Sequence, residues 1–401
     1  MEDLRKASRS SSAVRTGDGS RRIFDQHLSK EIQKIMKAID SMPGGTRAVL
    51  ATVVDLKGSG YRLPGARMLI AENGDVVGTV SGGCLEVDVM ERAKKVLSSG
   101  EAEVFTYDTT ADENSVFSLN MGCRGVIRIL LEPISRSSGI NKIFRSVLND
   151  RKRETIATYI GGDQGEKLEI GCRICVDTDE MILPDVAGIA KLFPGIDDDL
   201  LTFHESNTSY ETMRYVNEVG EAEFAFETLN PPVLLIILGA GADAVPLADA
   251  GHNLGWQVRV IDHRSAFLTK ERFPDADDLR LVERDSTFDL GADTMAAIVS
   301  MNHNYDRDKE AISLALRTNA FYIGALGPKK RTEQILDELR IRGETFSSDA
   351  LAKLRYPAGL DIGGDAPESI AISITAEIQS VLKQRTGGAL RDRDGSIYDR
   401  R

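Results

Sequence analysis

Cysteine is scarce, with four in 401 residues. That excludes the disulfide framework of a small secreted domain and leaves each thiol to be read from its neighbours. No apolar run approaches the roughly 20 residues a membrane-spanning helix needs. The first 22 residues, MEDLRKASRSSSAVRTGDGSRR, are polar and Ser/Arg-rich, unlike a signal peptide. Basic residues are in deficit, 50 Lys and Arg against 62 Asp and Glu, for a net charge of −12. A broad nucleic-acid-binding surface is therefore not expected. The five histidines are scattered and no second cysteine pair stands at zinc-finger spacing. There is no internal repeat. The expected setting is a reducing cytoplasm, with no membrane partner.

What is present reads as two α/β domains. Hydrophobic residues make up 41% and charged residues 28%, too apolar for a disordered chain and too charged for a membrane bundle. Residues 1–22 and 387–401 read as flexible tails, 23–230 as an N-terminal α/β domain, and 231–386 as a Rossmann-like, doubly wound parallel sheet. In the first domain the spacing predicts a helix to Ser41, a strand at 48–54, and a hairpin around Glu72-Asn73-Gly74-Asp75. It further predicts a helix over 85–97 and strands at 103–107, 126–131, 155–160, 170–176 and 181–183. After Pro231-Pro232, apolar strands at 233–238, 257–261, 296–300 and 321–323 alternate with helical stretches.

The sharpest motif is Gly239-Ala240-Gly241-Ala242-Asp243-Ala244, between the strand 233–238 and a helix. It fits G-x-G-x-x-G/A: Gly239 permits the turn, Gly241 lets a pyrophosphate approach the backbone, and Ala244 allows close helix packing. Asp262 ends the next strand, where a carboxylate can accept a ribose diol. His303 follows the strand 296–300 at a carboxyl end, where open α/β sheets place ligands. Gly324, Gly327, Lys329, Lys330 and Arg331 form a glycine turn followed by three cations, suited to a second anion. In Gly363-Gly364-Asp365-Ala366-Pro367-Glu368 the carboxylates have capping-box spacing, while Gly364 can approach a ligand.

The N-terminal domain carries thiol chemistry. One loop, Gly58 to Arg67, holds Arg62, Gly65 and Arg67. A second segment, Ser81-Gly82-Gly83-Cys84-Leu85-Glu86, leads from a strand into a helix, whose free amides favour an anion and thiolate character at Cys84. Cys123, in Met121-Gly122-Cys123-Arg124-Gly125, is a second glycine-flanked thiol. Of the two thiols Cys84 is the stronger candidate. Cys172 and Cys175 match C-x-x-C, but the alternating pattern of 168–176 puts i and i+3 on opposite faces of a strand, so this pair reads as structural. Arg62, Arg67 and Lys329–Arg331 are expected to form a local basic cleft on an acidic body, with the ligand shared between the domains.

These segments resemble the xanthine dehydrogenase accessory (XdhC/CoxI) family. The resemblance rests on GSGYRLPGARM at 58–68, GTVSGGCLE at 78–86 and Gly122-Cys123. It is denser in the second half: Pro231-Pro232 before LLIILGAGADAVPLA, then LGWQVRVIDHR, RFPDAD, YIGALGPKKR and AGLDIGGDAPESIAISITAEI. It spans about residues 30–385. Arg124 stands where the family pattern has a glycine, and the Ser-Gly-Gly-Cys turn is closer to the CoxI-like branch. The resemblance implies a cofactor-insertion factor or chaperone. Such a protein binds the molybdenum cofactor (molybdopterin or its dinucleotide), holds it for sulfuration by a cysteine desulfurase, and delivers it to a molybdenum hydroxylase client. On this reading Glu86 joins the candidate contacts, and the resemblance implies Cys84, ahead of Cys123, as a neighbour of the molybdenum. The chain lacks the iron–sulfur cysteine spacing of a complete hydroxylase. The alternative is an NAD(P)-dependent oxidoreductase using Gly239, Gly241, Ala244 and Asp262, with His303 as acid/base, although the sequence offers His303 no clear relay partner. A homodimer is compatible with either reading.

Overall fold

The computed structural model describes residues 13–14, 26–58, 60–108, 125–163, 168–176, 186–206, 208–217, 220–283 and 288–394. The chain divides between Pro231 and Pro232 into two compact units.

The first unit contains β1 (Ala13–Val14), α1 (Gln26–Ser41), β2 (Ala48–Gly58), β3 (Arg67–Ala71), β4 (Val76–Gly78), α2 (Glu86–Ser99), β5 (Glu103–Asp108) and β6 (Gly125–Ile134). It continues with α3 (Gly139–Leu148), β7 (Glu154–Gly162), β8 (Arg173–Val176), α4 (Val186–Leu192), α5 (Ile196–Glu205), β9 (Tyr210–Asn217) and β10 (Gly220–Leu229). Its strands form two antiparallel sheets, β4-β3-β2-β6-β5 and β1-β9-β10-β7-β8. Side chains alternate along β2, so Ala48 and Leu50 pack under α1 and α3 while Val49, Ala51 and Val53 pack under α2. That double burial is why β2 reads as one apolar run. Val54, Leu130, Ile160 and Ala225 join the two sheets in a small apolar cluster.

The hairpin forms as expected: Ile70 pairs with Val76 across the turn, and Gly74 takes a φ of +92° that a side chain disfavours. Other expectations need correction. The strand expected over 170–176 begins only at Arg173, because Gly171 turns the chain at a φ of +85°. Cys172 and Cys175 nevertheless diverge into different apolar clusters. Within the N-terminal tail, Ala13 and Val14 pair with Tyr215 and Arg214 of β9. The strand expected at 181–183, and Cys123 with its neighbours 121–124, lie outside the described residues.

The second unit contains β11 (Leu234–Leu238), α6 (Ala244–Asn253), β12 (Gln257–Asp262), β13 (Asp278–Leu281), β14 (Ala296–Ser300), α7 (Tyr305–Ala315) and β15 (Tyr322–Ala325). After these come α8 (Lys329–Ile341), α9 (Ser348–Ala352), β16 (Leu354–Arg355) and α10 (Pro367–Leu382). All six strands are parallel, in the order β13-β12-β11-β14-β15-β16. This is a Rossmann arrangement. Chain order reverses between β11 and β14, and the carboxyl ends of those strands define the binding crevice of such sheets. Leu234, Ile236 and Leu238 face α7 and α8. Leu235, on the opposite face, meets α6 so closely that a methyl group on Gly251 would come within 2.7 Å of it.

Candidate functional site

In the first unit the candidate residues gather around the entry to α2. Cys84 is exposed and in no disulfide. Its Sγ lies 3.6 Å from Ser81 Oγ. Ser81 is buried and organises the turn, its hydroxyl accepting from the amides of Gly83 (3.2 Å) and Leu85 (3.1 Å). Glu86 closes the arrangement from the first turn of the helix. Its carboxylate accepts from the Ser81 amide at 2.9 Å and from the hydroxyls of Ser81 and Thr79. Burial pushes the Glu86 carboxyl up, but these hydrogen bonds outweigh it and hold the group below the usual range. Glu86 thus shapes the turn from within and offers an incoming anion no donor. Among the described residues, the exposed amides of Gly82 and Cys84 have no internal acceptor. The Tyr61 ring lies on Gly82, where a methyl group would meet it at 3.1 Å, and is otherwise 68% exposed.

The expected basic cleft is corrected at three of its arginines. Arg67 is 2% exposed and grips both carboxylate oxygens of Glu227, at 3.0 and 2.6 Å. It also donates to the Gly65 carbonyl at 2.8 Å and lies over the Phe144 ring. Arg62 pairs with Glu31, which also accepts from the Arg67 amide at 2.5 Å. Burial dominates at Glu31 and raises its carboxyl to about 7, against the pull of Arg62 and Arg67. In the second unit Arg331 bonds Asp308 at 2.5 Å. The physical reason is common to all three: a guanidinium group that is wholly or partly buried is stable only with a counter-charge. Lys329 and Lys330 stay exposed in the first turn of α8, Lys329 standing 3.9 Å from Glu333.

The Gly-rich turn after β11 is built as expected in backbone terms. Gly239 has a φ of +111°, and a methyl group there would strike Met301 O at 2.8 Å. Asp262, however, is 2% exposed, and its carboxylate is bonded to the turn and to Arg264. Burial pushes the carboxyl up, but Arg264 and the amides of Ala240 and Arg264 bring it down to about 2. His303 has a φ of +55° and reaches Asp243 at 3.0 Å. Gly324 is buried against Tyr322 and Ala358, Gly327 turns at a φ of +118°, and Gly364 (φ +95°) faces Ser369 too closely for any Cβ. Asp365 and Glu368 do not form the expected capping box. Pro367 sets the first turn of α10, which makes Ala366 the N-cap, without a side-chain bond.

Sequence reasoning missed Glu31, Tyr61, Ser81, Asp243, Arg264 and Arg272. For Glu31 a signal existed: it shares the buried helix face with Ile35, so the acid interrupts an apolar stripe. Asp243 could be noticed as an acid inside the Gly-rich turn. The others depend on distant partners.

Among the described residues no group of His, Cys, Asp and Glu could hold a metal ion, and no helix is long and apolar enough to cross a membrane. The geometry defines a class: a Rossmann unit joined to an α/β unit that presents an exposed thiol on a glycine turn. The chain belongs to the XdhC and CoxI family, matching that family's model over residues 43–108 and the XdhC Rossmann domain over 235–378. It is 28% identical over 346 residues to a Bacillus subtilis protein named as a probable xanthine dehydrogenase subunit, covering 84% of this chain and 94% of that protein. It is 22% identical to the molybdenum cofactor insertion chaperone PaoD of Escherichia coli, over 86% of each chain. The crystal structure of a protein named as a xanthine dehydrogenase from Bacillus halodurans superposes with a TM-score of 0.66 at 26% identity, covering 91% of this chain and 98% of that one.

Proposed function

We propose that this protein is an insertion chaperone for the molybdenum cofactor, in its molybdopterin or dinucleotide form. It binds the cofactor as cargo at the Cys84 turn, holds it while a cysteine desulfurase sulfurates it, and passes it to a molybdenum hydroxylase of the xanthine or CO dehydrogenase type. The setting is the cytoplasm, where an exposed thiol stays reduced.

The observation that carries this reading is the exposed Cys84 thiol beside two amides without acceptors among the described residues. A thiolate is a soft ligand suited to a molybdenum centre, and exposed amides on a glycine turn suit phosphate or oxo groups. The donor set therefore fits the cargo. When bound, the cargo carries the redox-active metal that the client enzyme uses; the chain's own residues only bind and orient it. Cys84 supplies the sulfur, the Gly82 and Cys84 amides supply donors, and Ser81 and Glu86 fix the turn. The relative named as a molybdenum cofactor insertion chaperone, spanning 86% of both chains, supports the same reading.

The test is transfer. A cofactor-free molybdenum hydroxylase is incubated with the cofactor, with and without this protein. Faster recovery of activity with wild type and no acceleration with Cys84→Ala are expected. Equal recovery with and without the protein contradicts the proposal.

A second reading, an NAD(P)-dependent oxidoreductase, gains one observation: Asp243 gives His303 an acid partner. Fluorescence titration with NADH and NADPH tests it, and absence of binding to both removes it.

A further inference from the structure

Asp262 ends β12 where a dinucleotide-binding sheet places the carboxylate that accepts a ribose diol. Here Arg264 and the Gly-rich turn occupy it. Its Oδ1 accepts from the amide and Nε of Arg264, at 2.8 and 3.0 Å. Its Oδ2 accepts from the Ala240 amide and from Arg264 Nη2, at 2.6 and 2.8 Å. A carboxylate offers about four acceptor positions, and this one is almost wholly buried. A ribose hydroxyl finds neither a lone pair nor access.

Arg264 is what a ligand meets instead. Its side chain is 39% exposed, with the guanidinium 4.2 Å from the centre of the Phe267 ring. Only Nε and one Nη2 hydrogen are spent on Asp262, so three of its five side-chain N–H groups have no partner among the described residues. Arg272 lies against the same ring at 4.8 Å. It donates to the carbonyls of Ala240, Phe267 and Gly241, and among the described residues it pairs with no carboxylate. Arg264 and Arg272 thus share one aromatic ring, and among the described residues Asp262 is the carboxylate hydrogen-bonded to this pair.

Beside this corner is a cavity of about 290 Å³ beyond the strand ends. Leu238, Val282 and Phe288 give it apolar walls, while His263 and Asn302 supply polar groups. That volume is at the lower bound of small-molecule sites, about 300–1,000 Å³, which suits one nucleoside better than a dinucleotide.

We propose that the second unit binds a nucleotide carrying a phosphate monoester on its ribose. The base enters the cavity, the ribose phosphate sits on Arg264 with Arg272 adding charge, and Asp262 is a positioning residue that aims Arg264. A guanidinium fork matches phosphate oxygens geometrically, which a ribose diol does not exploit. This inference rests on the nucleotide reading of the Rossmann unit and is independent of Cys84.

Calorimetric titration of the full chain tests it, first with adenosine 2′,5′-bisphosphate against adenosine 5′-monophosphate, then with NADPH against NADH. Each 2′-phosphorylated ligand is expected to bind at least about tenfold more tightly than its counterpart. Arg264→Gln is expected to reduce that ratio to about twofold or less while weak binding of the 5′-monophosphate persists. NADPH binding more tightly than the bisphosphate identifies a dinucleotide; equal binding identifies a free nucleotide, and both uphold the proposal. Equal affinity of wild type for phosphorylated and unphosphorylated partners, or binding of neither, overturns it without reference to any variant. Cys84→Ala is expected to keep these affinities, so failure here leaves the cofactor-carrier reading standing.

Discussion

His303 Nε2 lies 3.0 Å from a carboxylate oxygen of Asp243, and its ring packs so near Gly241 that a methyl group there would meet it at 3.5 Å. The second glycine of the Gly-rich turn is thus flanked by the protein's own acid and its partner. His303 holds this place in the left-handed region, which costs a non-glycine residue about 1–2 kcal/mol. Removing the acid should open the turn. Asp243→Ala is expected to strengthen binding of adenosine 5′-monophosphate by about tenfold, roughly 1.4 kcal/mol. Titration of the two proteins at equal ionic strength checks this; unchanged or weaker affinity contradicts it.

Arg67 and Glu227 are 160 positions apart and almost fully buried together. Deleting one charge leaves the other unpaired in the core. Arg67→Ala is expected to cost about 3–5 kcal/mol in urea unfolding, while Arg67→Met with Glu227→Leu costs much less, because no lone charge remains. A double variant as unstable as the single one would show that the site needs the ions themselves.

Glu31 gives a pH signature. Its folded carboxyl is raised to about 7 from an ordinary 4.5. Below pH 4.5 the group is protonated in both states and adds no penalty. As pH climbs from 4.5 to about 7 the unfolded chain ionises first, so this group's contribution to stability falls across that window. Glu31→Gln should remove that component. Midpoints of urea unfolding measured from pH 4.5 to 8 should fall more steeply for wild type than for Glu31→Gln; parallel curves would exclude Glu31 as the source.

Much of the second unit is legible in sequence because buried parallel strands read as unbroken apolar runs, as in Leu234–Leu238 and Ala296–Ser300. In the first unit the Asn73-Gly74 turn announces its own hairpin. The β9–β10 hairpin has no comparable signal, and β10 changes register against β7 between Glu223 and Phe224. Candidate residues were legible by type but not by use. Arg62, Arg67 and Arg331 look like ligands for an anion until the fold supplies Glu31, Glu227 and Asp308, and no local pattern encodes such distant pairing. Asp262 sits where the motif puts it, yet Arg264, two residues on, changes what it can bind.

Glu86 is expected to matter for the turn rather than for the cargo directly. Glu86→Ala removes the acceptor for three donors from Thr79 and Ser81, costing about 1–2 kcal/mol and weakening cofactor binding with the thiol intact. Glu86→Gln keeps an acceptor oxygen and should recover most of both. Thermal unfolding and cofactor titration on the three proteins separate these outcomes.

The most direct test of the central claim is equilibrium binding of the molybdopterin-type cofactor under anaerobic, reducing conditions. Wild type is expected to bind one cofactor per chain, and Cys84→Ala to bind at least about tenfold more weakly with an unchanged melting temperature. No binding by wild type, or equal binding by Cys84→Ala, would contradict the account.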